Sequence, residues 1–134
     1  MKYLVTGGGG FIGAHLSNAL LAAGHEVTII DNFVTGYKER VPSGARLIVA
    51  DLIDYQAIEK HFVGIDGVFH TAAVPRIPRS IDNPVLTHHN NVNATFSVFE
   101  AARHGGVKRV VFSSSSTVYG LQDTLPFHED MKPN

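Results

Sequence analysis

Apolar and polar positions along this chain follow two alternating periods. Short apolar runs at 2–6, 26–30, 46–49, 66–70 and 108–112 read as buried strands. Between them, apolar residues return at three- and four-residue spacing. That predicts helices over 11–23, 55–62 and 84–104, with a short turn of helix near 36–40. Local signals frame these elements: Gly24 stops the first helix, Asn83 caps the longest, Pro84 fits its first turn and Gly105 follows its end. Pro75 and Pro78 mark 74–82 as a loop, and from Leu121 onward, with Pro126 and Pro133, the chain reads as irregular. Strands that alternate with helices predict an α/β fold, a doubly wound parallel sheet covered by helices on both faces.

The first strand runs into Gly7-Gly8-Gly9-Gly10-Phe11-Ile12-Gly13, and the first helix opens directly behind it. Glycine permits positive φ and close approach of backbone to a ligand, while a helix amino end presents unpaired N–H groups and partial positive charge. Strand, glycine turn and helix start together make a phosphate site. The glycines fit two registers, Gly7/Gly10/Gly13 and Gly8/Gly10/Gly13. A Walker-type loop requires Gly-Lys-Ser/Thr, and Ala14-His15 follow Gly13 instead. The second strand ends at Asp31, 18 residues after Gly13. A dinucleotide fold places a carboxylate there to accept from both hydroxyls of the adenosine ribose. The same carboxylate repels a 2′-phosphate, and no Lys or Arg follows until Lys38, so the pattern predicts NAD rather than NADP. The expectation is a Rossmann-type fold seen through its first five strands, as one NAD-binding domain over 1–134.

Composition narrows the setting. With 44% apolar and 17% charged residues the chain is an ordinary globular one, and 134 residues bury roughly two-thirds of their unfolded surface. A formal charge of −1 without a basic run gives no case for nucleic acid. The absence of cysteine suits a reducing cytoplasm, no apolar stretch approaches a membrane span, and no leader is expected because the first strand starts at residue 2. A cytoplasmic protein without a membrane partner is the expectation. The eight histidines show no ligand spacing, and neighbours such as His88 and His89 point about 100° apart on a helix, so no metal site is expected.

In such sheets the ligand lies across the carboxyl ends of the strands. Those ends carry the glycine loop, Asp31-Asn32, Asp51-Leu52, His70-Thr-Ala-Ala73 and Ser113-Ser-Ser-Ser116. Together with Asn90-Asn-Val-Asn-Ala-Thr95 and Phe112-Ser-Ser-Ser-Ser-Thr-Val-Tyr-Gly120, they resemble the extended short-chain dehydrogenase/reductase family. The likeness is greatest to its NAD-dependent sugar-nucleotide branch and to the UDP-hexose 4-epimerases within it. Ala94 departs from the family's usual glycine but keeps a small residue.

The resemblance implies roles. The Phe11 and Ile12 backbone holds the pyrophosphate, Asp31 and Asn32 the adenosine ribose, and Asp51 and Leu52 the adenine. Ala72 and Ala73 line the nicotinamide-side ribose, and Asn90 reaches the cofactor from the long helix. Asn91 matches a structural asparagine, and Ser115 aligns with the catalytic hydroxyl, although the residues alone leave Ser113 to Ser116 open. The implied reaction is 4-epimerisation of a UDP-sugar by transient oxidation at C4. The related 4,6-dehydratases carry an Asp-Glu pair where Ser116-Thr117 stand, which disfavours dehydration. The loop Val74-Pro-Arg-Ile-Pro-Arg-Ser80 resembles epimerases that accept UDP-glucose or its N-acetyl form; Arg76 and Arg79 read equally well as solvated charges.

The family's base, a Tyr-x-x-x-Lys pair, is not in these residues. Tyr3, Tyr37, Tyr55 and Tyr119 are followed four places on by Gly7, Val41, Glu59 and Asp123. The expectation is therefore the cofactor-binding part of an epimerase, with the pair and the sugar region beyond Asn134 and no turnover from this chain alone. Two alternatives stay open: a non-catalytic NAD-binding module, or a dehydratase or reductase of the same family. Helix 84–104 is apolar on more than one face, and relatives dimerise through it, so a homodimer is expected.

Overall fold

A computed structural model describes residues 1–122 and 124–133; Asp123 and Asn134, in the stretch expected to be irregular, lie outside the described residues. Five strands form one parallel sheet: β1 (Lys2–Thr6), β2 (Glu26–Asp31), β3 (Arg46–Val49), β4 (Gly67–His70) and β5 (Arg109–Phe112). Their order is β3-β2-β1-β4-β5. The chain winds outward from β1 to β3, then crosses back to β4 on the other side. That reversal opens a crevice between the carboxyl ends of β1 and β4, the usual ligand position in such sheets.

Neighbouring residues of β1 serve two cores, because side chains alternate across a strand. On one face Leu4, Ile30 and Val68 pack with Ile58, Phe62, Val98, Ala101 and Ala102. Those partners come from α2 (Tyr55–Ile58), the turn behind it, and α5 (Ala94–His104). On the other face Val5, Val27 and Ile29 meet Leu20 and Leu21 of α1 (Phe11–Ala22). Helices thus cover both faces, as the alternating pattern requires. No helix among the described residues is long and apolar enough to cross a membrane.

Expected elements differ in detail, among them the helix over 55–62, which is α-helical over Tyr55–Ile58 and a 3-10 turn over Glu59–His61. The segment 74–82, read as a loop, contains a helix, α3 (Ile77–Asp82). Pro78 lies in its first turn, where the missing N–H costs nothing, so it starts a helix rather than breaking one. The single helix expected over 84–104 is three consecutive segments. They are α4 (Pro84–His88), a π-helical turn (His89–Asn93) and α5. The Ala94 N–H donates to the His89 carbonyl, five residues back, and marks the wide turn. Asn83 caps α4 as expected, its Oδ1 accepting from the Leu86 N–H at 3.0 Å. Residues Ser116–Tyr119, for which no element was expected, form a 3-10 turn.

Candidate functional site

The glycine loop and the loop after β4 touch at the crevice. Gly7 has a φ of +74°, and a Cβ there would lie 2.7 Å from the Ala72 Cα, so a side chain is barred on both grounds. A Cβ on Gly13 would collide with the Gly7 carbonyl oxygen. Of the two registers, Gly7 therefore supplies the turn and Gly13 the close helix packing.

Gly10 precedes the first turn of α1, its N–H donating to the Gly7 carbonyl at 3.0 Å. The first helical bond runs from Ala14 N–H to the Gly10 carbonyl at 3.1 Å. The N–H groups of Phe11, Ile12 and Gly13 thus have no partner within the helix, as at any helix start. Gly10, at the cap position, has no side chain to close this end, and no acidic residue occupies its first turn. Its positive end is open to the cleft.

Asp31 is buried at the end of β2 and held at both oxygens. Gly9 N–H donates to Oδ2 at 2.8 Å, and Phe33 N–H donates to Oδ1 at 2.7 Å. Each oxygen keeps a second lone pair for another donor. Phe33 was not anticipated: it adopts a φ of 59°, rare for a bulky side chain, and its ring lies against Gly9. Tyr37 N–H donates to the Gly9 carbonyl at 2.9 Å, so the segment after β2 is fastened onto the glycine loop. Gly36 was the one signal for this packing, since a Cβ there would approach the Gly9 backbone to 2.9 Å.

The remaining anticipated residues fall into two stretches of one cleft. Gly7, Gly10, Asp31, Asn32, Asp51, Leu52, Ala72, Ala73 and Asn90 line the first. Within it Asn32 Nδ2 donates to Asp51 Oδ2 at 3.2 Å. The Asn90 amide instead donates to the Leu86 carbonyl on its own helix. Phe11, Ile12 and Gly13 belong to an adjoining stretch that also contains Gly7, Gly10, Thr71 and Ala73. Ser115 does not line the first stretch but shares a third with Ala72, Ala73, Ser113, Ser114 and Thr117. Its Oγ accepts from the Thr117 hydroxyl at 2.8 Å and from the Thr117 N–H at 3.2 Å. Its own proton is left free to donate.

A buried hydrogen-bond chain backs this wall. Thr6 Oγ1 and His70 Nδ1 lie 2.6 Å apart, and His70 Nε2 and Thr95 Oγ1 lie 2.8 Å apart. The Thr95 hydroxyl donates to the Asn91 carbonyl at 2.6 Å, so it accepts from Nε2–H, and Nδ1 accepts from Thr6. Burial lowers the His70 pKa to about 4, which keeps this neutral tautomer near pH 7. Asn91 completes the bracket: its Oδ1 accepts from Val74 N–H at 2.8 Å and its Nδ2 donates to the Val74 carbonyl at 3.2 Å. Spacing alone gave no reason to single out His70, because its partners are distant in sequence. Among the described residues no group of three side chains could hold a metal ion.

A parallel sheet with its crevice at β1 and β4, an uncapped helix start and a fixed carboxylate after β2 define a dinucleotide-binding α/β protein. Comparison with known proteins refines the class. The chain belongs to the NAD dependent epimerase/dehydratase family, whose sequence model matches residues 3–134. It is 44% identical over 131 residues to a UDP-glucose 4-epimerase of Corynebacterium glutamicum, covering 98% of this chain and 40% of that protein. A UDP-glucose 4-epimerase of Klebsiella pneumoniae is 38% identical, over 96% of this chain and 99% of its own length. The solved Thermus thermophilus UDP-glucose 4-epimerase in complex with NAD superimposes with a TM-score of 0.91 at 37% identity. That match covers all of this chain and 44% of the Thermus chain. This chain thus spans about two-fifths of the length of the Corynebacterium and Thermus relatives.

Proposed function

We propose that this chain binds NAD and contributes the cofactor cleft and a serine to a UDP-sugar 4-epimerase of the UDP-glucose/UDP-galactose type. The observation that carries the reading is the Asp31 carboxylate, fixed by two backbone N–H groups beside the open end of α1. Its free lone pairs suit two ribose hydroxyls, and the unpaired N–H groups of Phe11 and Ile12 suit a diphosphate. The cradle where Gly7 meets Ala72 has no room for a side chain, so backbone forms the floor. The NAD-bound Thermus relative, matched over the whole of this chain, supports the same assignment.

Bound NAD would supply reversible hydride transfer at sugar C4. The residues here position and polarise. The Ser115 hydroxyl, its oxygen engaged by Thr117, offers its proton to a substrate oxygen near the nicotinamide end. Asn91 and the His70 chain hold the Val74 backbone and so the wall on which Ala72 and Ala73 stand. Because no Tyr-x-x-x-Lys occurs in these residues, the proton-abstracting base must come from outside them. A cytoplasmic setting goes with this reading, as the cysteine-free composition suits a reducing compartment.

Titration calorimetry tests the cofactor assignment. NAD should bind, and NADP at least tenfold more weakly. Asp31→Ala should cost NAD about 10- to 100-fold, since hydrogen bonds to a charged group contribute about 1.5–3 kcal/mol. Equal binding of the two cofactors would refute the role of Asp31. With UDP-galactose and NAD, the 134 residues alone should show no turnover.

A further inference from the structure

We infer that a recess at the amino ends of β1, β2 and β3 is a separate anion site, which takes a phosphate monoester carried on an apolar or aromatic body. The inference does not depend on how the cleft is read. Lys2, Glu26 and Arg46 open the three strands, and Lys60 and His61 end the 3-10 turn behind α2. With His25 they line one recess of about 850 Å³. β1 is five residues long, so about 15 Å of strand separates this recess from the glycine loop. A volume of this order suits a ligand of nucleotide size.

Charge in the recess is one-sided. Lys2, Arg46 and Lys60 stand against the single carboxylate of Glu26, in a chain whose formal charge is −1. Lys2 Nζ lies 3.8 Å from Glu26 Oε2, which engages that carboxylate. Arg46 and Lys60 have no carboxylate at ion-pair distance among the described residues. Burial lowers the His61 pKa and the charges of Lys60 and Arg46 lower it further, so the two cations act on one spot. Cations beside the carboxyl end of a helix commonly offset its partial negative charge. The end of α1 lies here, but backbone already closes it. Ala23, Gly24 and His25 N–H donate to the carbonyls of Ala19, Leu21 and Leu20 at 3.0, 2.9 and 3.1 Å. The two free cations are therefore left for an anion from outside, which their field attracts.

A phosphate monoester matches this balance, since it carries about two negative charges near pH 7. The planar fork of Arg46 suits two of its oxygens and Lys60 adds a point charge. The rest of the lining selects the body. Leu21, Val27, Val63 and Ile65 supply an apolar wall, on which Val63 is 71% exposed. The His25 ring adds an aromatic face, fixed edge-on to the Tyr3 ring with centroids 5.1 Å apart. Inorganic phosphate alone would leave that wall in water.

The experiment titrates AMP into the ¹⁵N-labelled chain, alone and with excess NAD, and follows backbone amides by NMR. The amides of Thr28, Arg46 and residues 60–65 should shift whether or not NAD is present, and the affinity should fall as salt rises. Adenosine should leave them unmoved, and inorganic phosphate should bind at least tenfold more weakly than AMP. Arg46→Gln/Lys60→Gln should weaken AMP at this site at least tenfold and change NAD affinity less than threefold. Both side chains are exposed, and unchanged amide positions elsewhere in the spectrum check that the double variant keeps its fold. Lys108→Gln, a charge removed outside the recess, should change neither affinity. AMP shifts confined to cleft amides such as Gly9, Phe11 and Asp31 would overturn the site, as would full affinity in the double variant. Equal affinity for phosphate and AMP would overturn the part given to the apolar wall. Failure of NAD to bind, with the recess amides still responding to AMP, would remove the cofactor reading and support this site.

Discussion

At the scale of single residues, Asp31 is held in one position by the fold itself. Its carboxylate cannot swing away without giving up bonds to Gly9 and Phe33, and Phe33 holds an uncommon backbone conformation to make one of them. His70 has a different kind of consequence. Its pKa falls from 6.5 to about 4 on folding, because burial penalises the charged form. Between these values the unfolded chain takes up a proton that the folded chain refuses. Stability should therefore decline as pH drops below about 6.5 and level off below about 4, by about 3 kcal/mol in all. Urea unfolding at pH 7.5 and pH 4.5 checks this: His70→Asn should be less stable at the higher pH and should flatten the dependence. An unchanged pH slope in the variant would assign the titration elsewhere.

At the scale of elements, the turn between β1 and α1 is the least tolerant. Gly13→Ala places a methyl against the Gly7 carbonyl, so the loop must shift and NAD affinity should fall by tenfold or more. Gly24→Ala, at a φ of +78° with open space around its Cβ, should lower stability and leave NAD affinity nearly unchanged. Paired thermal melts and NAD titrations separate the two outcomes. This turn, Asp31 and the five strands were legible because each depends on short-range sequence: an apolar run, a glycine cluster, a residue at a strand end. The helix at 77–82 was not, since proline signals either a stop or a first turn and only the following residues decide. Nor was the π turn, which adds a single residue to a pattern whose apolar spacing already varies between three and four. The Thr6–His70–Thr95 chain lay beyond reach for another reason: strands and helices far apart in sequence bring its members together.

At the scale of the whole molecule, the segment from 84 to 104 serves two surfaces. One side packs on the sheet through Ala94, Val98, Ala101 and Ala102, while Val85, Val92 and Phe96 face outward, Phe96 at 70% exposure. An apolar face of this kind suits a second copy of the chain. Sedimentation should show a concentration-dependent dimer that Phe96→Asp weakens at least tenfold without loss of NAD binding; a monomer at every concentration would rule out this use of the helix. The π turn within the same segment sets how its two halves are phased. Removing one residue, Asn93, should let the helix run on regularly and carry Asn91, which lies inside the wide turn, round the axis relative to α5. The amide of Asn91 would then swing away from Val74, and the variant should be as helical as its parent yet poorer at retaining NAD. A slip in angular phase, with every contact residue still in the sequence, would be enough to disable the protein.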